Sequence, residues 1–303
     1  MTDPQRGHLA MLAFSALVAG SFSLGAMAAP LISPAALTVA RFGLAGTAVG
    51  IAARATGGIP ARSLSAPWRY LVLGGLLALY FVLMFEGLRT APAVPTAAVF
   101  TLTPVMAAGF GWVLLGQITS ARMALALALG AAGALWVVFR GDLDAVLSLQ
   151  VGRGEVVYFF GCMAHALYTP MVRKLNRGER AVVFTFGTMV AGLLVLTLWG
   201  WRDVLATDWA HLPRIVWICL GYIAFVASAI TFVLLQFGAL RLPSSKVMAY
   251  TYLVPSWVIL WELALGHAAP PGRVLGGVAL TVVALALLLK DEAARPKGPA
   301  PHP

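Results

Sequence analysis

Residues 87–104 read GLRTAPAVPTAAVFTLTP and residues 238–255 read GALRLPSSKVMAYTYLVP, and the two stretches share one spacing of glycine and proline. In each, a glycine near the end of an apolar run is followed five residues later by a proline and twelve residues after that by another. All three positions repeat at an offset of 151 residues, and the second prolines, Pro104 and Pro255, fall inside apolar runs. Matched helix-disrupting prolines in two halves are typical of the central site of a transporter. Glycine and proline are also frequent in membrane helices generally, which is the alternative explanation.

The composition predicts an integral membrane protein. Hydrophobic residues make up 60% of the chain and charged residues 11%, against about half and about a quarter in globular proteins. The 21 basic residues outnumber the 11 acidic ones. They cluster between apolar runs, where they act as topology signals, so nucleic acid binding is not expected. Cys162 and Cys219 lie inside apolar runs, which favours neither a disulfide framework nor a metal site, and no cofactor is expected.

A bilayer core about 30 Å thick requires roughly 20 apolar residues per helix. On that scale the sequence predicts an all-α integral membrane protein with ten transmembrane helices. The first apolar run is too long for the core of a signal peptide, so we expect a retained first helix. Residues 291–303 are polar and rich in proline, and we expect a disordered cytoplasmic tail there. The ten predicted helices span residues 8–28, 33–53, 67–89, 92–115, 119–139, 154–173, 180–200, 212–236, 243–265 and 271–290.

The distribution of lysine and arginine predicts the orientation of these helices. If the N-terminus is cytoplasmic, the inner segments carry 14 Lys and Arg residues and the outer segments carry 6. Positively charged residues accumulate on the cytoplasmic side of membrane proteins. The sequence therefore predicts that both termini are cytoplasmic, with the segment RKLNRGER at residues 173–180 as the strongest anchor.

Ten helices divide into five and five, and five is an odd number. The second half must then enter the membrane upside down relative to the first. We expect a first repeat at residues 1–141 and a second, inverted repeat at residues 142–290. Inverted repeats provide two gates that exchange roles, which is a structural basis for alternating access.

Both halves contain a proline-bearing helix, TLTPVMAAGFGWVLLGQ or TYLVPSWVILWELALGH, followed by a glycine-containing helix, LALGAAGALWVV or VLGGVALTVVALALLL. With the ten-helix plan, this arrangement resembles the EamA family of the drug/metabolite transporter superfamily over nearly the whole chain. Family repeats often carry a Gly-Glu pair after the proline-bearing helix. Here the pairs are Gly116-Gln117 and Gly266-His267, which argues against a fixed acidic role at those positions.

The resemblance implies a transporter of the bacterial cytoplasmic (inner) membrane, and the subgroup it suggests is the YddG-type exporters of aromatic and other neutral amino acids. Export of small neutral metabolites is therefore the predicted function. The expected partners are a small-molecule substrate and membrane lipid, and we expect a monomer. Permeases of the same family for drugs, sugar derivatives or vitamins are the alternative.

The resemblance also implies that helices 1, 3, 4, 6, 8 and 9 line a central cavity. Hydroxyl, imidazole and aromatic groups near the centres of these helices suit a site for small polar solutes. Serine and threonine also bond back to their own helix, and tyrosine and tryptophan also form interfacial belts. A mid-membrane imidazole requires a cavity or a partner. The candidate substrate-binding residues are Ser21, Tyr80, Thr101, His165, Tyr168, Thr231, Tyr250, Tyr252 and Trp257.

Charged residues and prolines inside the predicted helices are the candidates for gating. Arg41 should have an acidic partner or extend to the interface. Glu86 is three residues from Arg89 and should pair with it, and Glu262 should lie at the outer rim. As a functional alternative, Arg41, Glu86 and Glu262 form an outer gate.

Pro104 and Pro255 are predicted to act as pivots. Each removes one backbone hydrogen bond and frees a carbonyl about one turn earlier, where it would be available to the ammonium group of an amino acid. The freed carbonyls are predicted near Phe100 or Thr101 in the first helix and near Thr251 or Tyr252 in the second.

Other classes of function fit the sequence less well. An intramembrane enzyme usually needs clustered acids, metal-binding histidines or a nucleophile with a base. The predicted helices contain no aspartate, and the five histidines are scattered along the chain. A receptor or scaffold would usually add a soluble output domain, and little of this chain lies outside the predicted helices. We therefore expect a carrier that is not an enzyme.

Overall fold

A computed structural model describes residues 2–147 and 151–293 of the protein. This part of the chain contains ten long helical segments and no strand. Eight of them are long and apolar enough to cross a membrane, which makes this a multi-pass membrane protein. The helices are α1 (Asp3–Ala28), α2 (Pro34–Ala55), α3 (Trp68–Leu88), α4 (Ala93–Leu115), α5 (Ala121–Val138), α6 (Arg153–Leu175), α7 (Ala181–Ala206), α8 (Arg214–Ala239), α9 (Ser244–Ala264) and α10 (Gly272–Ala293).

The two segments outside the eight are α6, which has charged residues near both ends and a histidine between them, and α10, whose apolar part is the shorter run Gly272–Leu288. Short helices that the hydropathy pattern does not predict occur in the connections, at Ala61–Leu64 and Leu143–Leu147. The boundary predicted for the disordered tail, residue 291, is too early, because α10 continues as helix to Ala293. Residues 294–303 of that tail lie outside the described residues.

Capping residues explain where several helices begin. Thr2 and Gln5 form a capping box at α1, and the side chains of Ser33 and Ser120 accept a backbone N–H at the starts of α2 and α5. These contacts satisfy donors that the first turn of a helix leaves free. Pro92, the first proline of the repeated stretch, directly precedes α4.

The positions where the family pattern often has glutamate have structural contacts in this chain. Gly116 ends α4 in the left-handed conformation with φ 64°. The next residue, Gln117, accepts the backbone N–H of Ser244 through its side-chain oxygen at 3.1 Å, at the start of α9. In the second copy, His267 Nδ1 lies 2.8 Å from Glu262 Oε2. Gln117 therefore joins the end of one proline-bearing helix to the start of the other.

Both proline-bearing helices are interrupted. Helix α4 consists of Ala93–Phe100 and Thr103–Leu115. Helix α9 consists of Ser244–Ala249, a 3-10 turn at Tyr250–Leu253 and a second helix, Val254–Ala264. In each case the second proline stands in the first turn of the second piece, where a missing N–H leaves no broken bond. The prolines thus start new helices, in place of the kink in a continuous helix that the spacing suggests.

Glycines allow helices of the two halves to touch backbone to backbone. A Cβ at Gly87 of α3 would lie 2.7 Å from the carbonyl oxygen of Gly154 in α6. A Cβ at Gly133 of α5 would lie 2.6 Å from the carbonyl oxygen of Gly277 in α10. Small residues permit such close packing of membrane helices. These two helix pairs therefore connect residues before and after position 142 through glycine.

An ion pair ties α3 to the connection between α6 and α7. Arg69 Nη2 lies 2.8 Å from Glu179 Oε1, and the two side chains are 1% and 4% exposed. Arg69 also donates to the carbonyl oxygen of Leu175 at 2.7 Å. Burial raises the pKa of the Glu179 carboxyl, but hydrogen bonds from Arg69 and from the backbone of Arg177 outweigh it and hold the pKa below its ordinary value. The RKLNRGER segment is thereby fixed to the start of α3.

The contact at Gly87 gives a test of this packing. We expect Gly87→Ala to lower the melting temperature in detergent, because the added methyl group would collide with the backbone of Gly154. The matched control is Gly75→Ala on the same helix, where a Cβ would meet no atom within 4 Å. Alanine is favoured over glycine in a helix by about 1 kcal/mol, so the control should not lose stability. Equal melting temperatures for the two variants would contradict the packing.

Candidate functional site

A chain of buried polar and aromatic side chains connects α3, α6 and α8. Tyr80 and Tyr158 share a hydrogen bond of 3.0 Å between their hydroxyls. The ring of His165 lies 4.4 Å from that of Tyr80 and 6.2 Å from that of Tyr168, measured between centroids. Gln236 completes the chain by donating to the Tyr168 hydroxyl at 2.8 Å. We call these five residues the central cluster, and all of them are buried.

Aromatic rings from α1 and α4 pack against the central cluster. Phe100 of α4 lies 5.2 Å from His165 and 5.8 Å from Tyr80, measured between ring centroids. Phe22 of α1 lies 5.9 Å from Tyr158 with an edge-to-face geometry. The cluster is therefore enclosed by α1, α3, α4, α6 and α8, five of the six helices that the family resemblance implies.

Several buried polar atoms in this part of the protein have no hydrogen-bond partner. They include Nδ1 of His165, Oε1 of Gln236, the hydroxyls of Ser21 and Thr231, and Nη1 of Arg41. In folded proteins roughly 90% or more of buried polar groups are paired. Each of these atoms, on α1, α2, α6 or α8, has a hydrogen bond to gain from a polar solute that reaches it.

Arg41 of α2 is fully buried but does not have the acidic partner that the sequence predicts, nor does it extend to the interface. Its Nε donates to the hydroxyl of Ser228 and its Nη2 to the carbonyl oxygen of Ala227 at 2.6 Å. Its guanidinium carbon lies 3.7 Å from the centre of the Phe81 ring. Among the described residues, no carboxylate forms an ion pair with it.

The partners of Arg41 lie in a π-helix. Tyr222–Ile230, within α8, is wound as a π-helix, in which each N–H bonds five residues back. Ser228 donates its hydroxyl to the carbonyl oxygen of Ile223 at 2.6 Å, which matches this wider winding. π-helical turns are frequent at functional sites. Arg41 therefore joins α2 to the irregular part of α8.

The two broken helices meet at their interruptions. Thr103 donates its hydroxyl to the carbonyl oxygen of Phe100 at 2.7 Å, and its oxygen lies 3.2 Å from the hydroxyl of Thr251. The carbonyl of Phe100 is the one that Pro104 frees, so it is occupied by Thr103 and is not open to a substrate in this conformation. Thr101 likewise bonds back to its own helix, at Ala98, over 2.6 Å.

The other candidates on α9 bind helices α1 and α5. Tyr252 donates to the carbonyl oxygen of Leu127 at 3.4 Å. The hydroxyl of Tyr250 lies 3.0 Å from Nδ1 of His8, and Trp257 donates to the hydroxyl of Ser15 at 3.3 Å. These contacts place the three residues between α9 and its neighbours, where they hold the broken helix in the bundle.

The structure does not bring the predicted outer-gate residues together. Glu86 pairs with Arg89 at 3.2 Å, as the spacing predicts. Glu262 pairs with His267 at 2.8 Å. Arg41 forms no ion pair with either glutamate, and the donors that it does use bond residues of α8.

The sequence pattern does not identify four residues that contribute to these contacts: Tyr158, Gln236, Thr103 and Ser228. Tyr158 falls four residues after the predicted start of its helix, and Gln236 is the last residue of another, so both resemble interfacial residues. Tyr158 and His165 are seven residues apart, which is two helical turns and the signal that could have joined them. Ser228 and Thr103 carry only a hydroxyl, and the sequence alone does not show which hydroxyls also contact another helix.

Thr231 provides a test of the unpaired groups. In a helix its hydroxyl would normally bond the carbonyl four residues earlier, at Ala227, which here accepts from Arg41. An unsatisfied buried hydroxyl costs about 1–3 kcal/mol. We therefore expect Thr231→Val, which keeps the shape, to raise the melting temperature in detergent by a few degrees.

The matched control is Thr188→Val, since Thr188 donates its hydroxyl to Phe184 at 2.9 Å. Removal of that bonded hydroxyl should not raise the melting temperature. A drop in the melting temperature of Thr231→Val would show that its hydroxyl is satisfied.

Comparisons with known proteins place this bundle in a family. The profile of the EamA-like transporter family matches residues 5–139 and 152–290. The "Uncharacterized transporter YyaM" of Bacillus subtilis (strain 168) is 26% identical over 280 residues, covering 89% of this chain and 90% of that protein. A crystal structure described as "Crystal structure of protein" has a TM-score of 0.72 at 23% identity, covering 97% of this chain and 99% of that chain. This last similarity concerns the fold alone. Because the family profile matches most of its length, the chain belongs to the EamA-like transporter family.

Proposed function

We propose that the protein exports small neutral metabolites across the bacterial inner membrane, with aromatic and other neutral amino acids as the leading class. The observation that carries this proposal is the central cluster, a buried set of aromatic rings with unpaired hydrogen-bonding atoms beside it. Aromatic walls with a few polar groups suit solutes that combine a ring or an apolar side chain with polar ends. The resemblance to YddG-type exporters supports the same class.

The proposed architecture is ten membrane spans in two inverted repeats, residues 1–141 and 142–290, with both termini cytoplasmic. The matching interruptions of α4 and α9, each followed by a proline in the next turn, support the repeat. The excess of basic residues in the predicted inner segments supports the orientation. Within this architecture the protein works as a monomer by alternating access, and Tyr80, His165, Tyr168 and Ser21 contact the substrate.

The proposed gating elements are the two interruptions. An interrupted helix has fewer backbone bonds to break when its pieces rotate, so the turns before Pro104 and Pro255 are suited to act as pivots. Thr103 and Thr251 join the two turns by a hydrogen bond. Movement at one turn is thereby coupled to movement at the other.

Counterflow in liposomes tests the substrate class. Purified protein is reconstituted with a panel of labelled neutral, acidic and basic amino acids, nucleosides and cationic dyes. We expect neutral amino acids with aromatic side chains to exchange fastest, because they match the aromatic walls of the central cluster. Protein-free liposomes provide the control. Exchange of nucleosides or dyes without any neutral amino acid would overturn this proposal in favour of a drug or vitamin permease.

Replacement of the two prolines tests the pivots. We expect Pro104→Ala and Pro255→Ala each to slow counterflow several-fold, because alanine allows a continuous, stiffer helix. The control is Pro92→Ala, which alters an exposed proline before α4 and leaves the interruption intact. Full activity in both single variants would reject the role of these prolines as pivots.

A further inference from the structure

We propose that Arg41 binds a carboxylate of the transported solute, so that a carboxylate is a required part of the substrate. This inference rests on the proposed transport function and names the chemical group that the central site selects. The sequence predicts that Arg41 has an acidic partner or extends to the interface. In the structure its hydrogen-bond partners are the hydroxyl of Ser228 and the carbonyl oxygen of Ala227, which are both neutral.

Arg41 carries a buried positive charge. The residue lies seven positions into α2, about 10 Å from the end of the helix at 1.5 Å per residue, and its side chain is 0% exposed. A guanidinium stays protonated in proteins. Removal of such a cation from water is costly unless an anion or strong hydrogen bonds compensate. In the described part of the chain no aspartate or glutamate lies within ion-pair distance of it, so the positive charge lacks an internal counter-ion.

The guanidinium of Arg41 uses only part of its N–H donors inside the protein. Nε uses its one hydrogen on the hydroxyl of Ser228, and Nη2 uses one of its two on the carbonyl oxygen of Ala227. Nη1 is buried and has no partner. One hydrogen on Nη2 and two on Nη1 are therefore left at the end of the guanidinium. Two adjacent N–H donors on one planar group match the two oxygens of a carboxylate.

Arg41 lies beside the central cluster. Its guanidinium lies over the ring of Phe81, whose centroid is 4.5 Å from that of Tyr80. A carboxylate held at Nη1 would leave the rest of a small solute next to the aromatic rings. The site would then bind the anionic end of the solute at Arg41 and its apolar or aromatic part at the central cluster.

A purely structural role for Arg41 makes a different prediction. If its only task were to hold the π-helix of α8 through Ser228 and Ala227, transport would be indifferent to a carboxylate on the solute. The two roles therefore separate by the chemistry of the solute, without any change in the protein.

The first experiment uses the wild-type protein in liposomes and a set of competitors that differ at one group. Counterflow of labelled phenylalanine is measured against unlabelled phenylalanine, phenylalaninamide, phenethylamine and 3-phenylpropanoate. We expect phenylalanine and 3-phenylpropanoate to compete, and the amide and amine to compete at least tenfold more weakly. Equal competition by the amide and the acid would overturn the inference.

Failure of the proposed function is distinguishable from failure of this inference. If phenylalanine does not move but another carboxylic acid does, the amino acid assignment falls while the Arg41 inference stands, and the acid and amide of that solute replace the pair. If only solutes without a carboxylate move, both fall.

The second experiment changes Arg41. We expect Arg41→Gln to raise the half-saturation concentration of the acid at least tenfold while changing that of the amide little, so that the preference for the acid disappears. Arg41→Lys should keep part of it, because a lysine retains the charge but not the paired donors. The control is Arg54→Gln, the same loss of charge at an exposed position of α2, which should keep the full preference.

Size-exclusion chromatography reports whether each variant is folded. If Arg41→Gln does not fold, the competition series on the wild-type protein decides the question alone. A folded Arg41→Gln variant that still prefers the acid tenfold would overturn the inference.

Discussion

Backbone hydrogen bonding in a hydrocarbon environment is the constraint on which the rest of this structure depends. A spanning segment must satisfy its own N–H and C=O groups, so the described spans are helical and an interruption needs other hydrogen bonds to close it. Thr101 and Tyr252, at the two interruptions, are both completely buried. The 3-10 bonds of Thr101 and Leu102 to the carbonyls of Ala98 and Val99 close the first interruption, and a threonine hydroxyl caps the carbonyl that proline leaves free.

The irregular part of α8 must satisfy its backbone hydrogen bonds under the same constraint. A π-helix has wider turns than an α-helix, and Arg41 donates to the hydroxyl of Ser228 and the carbonyl oxygen of Ala227 within it. In return, the π-helix fixes a guanidinium at a depth where an unheld cation would be unstable. The broken helices and the π-helix thus place polar chemistry inside an apolar bundle without exposing it to lipid, and a transporter of polar solutes needs that arrangement.

Hydropathy and the repeat of glycine and proline predicted much of the fold, since both report directly on the cost of placing residues in lipid. Most predicted helices lie within a few residues of the observed ones, and Glu86 pairs with Arg89 as its spacing suggests. The contacts of the candidate site were harder to predict, because the residues that form them come from helices far apart in sequence. Tyr80 and Tyr158 are 78 residues apart, and Arg41 and Ser228 are 187 apart. No local pattern predicts which hydroxyl also contacts another helix, or that the hydrogen-bond partners of Arg41 are a serine hydroxyl and a backbone carbonyl.

The glycine contacts between α3 and α6 and between α5 and α10 have a mechanical consequence. Side chains that interlock across a helix interface must change rotamer before the helices can slide or roll on each other. At Gly87 and Gly133 the nearest opposing atom is a backbone carbonyl oxygen, which has no rotamer to rearrange. These two contacts therefore hold the paired helices close together, and the glycines themselves have no side chain that would resist rotation of one helix against the other.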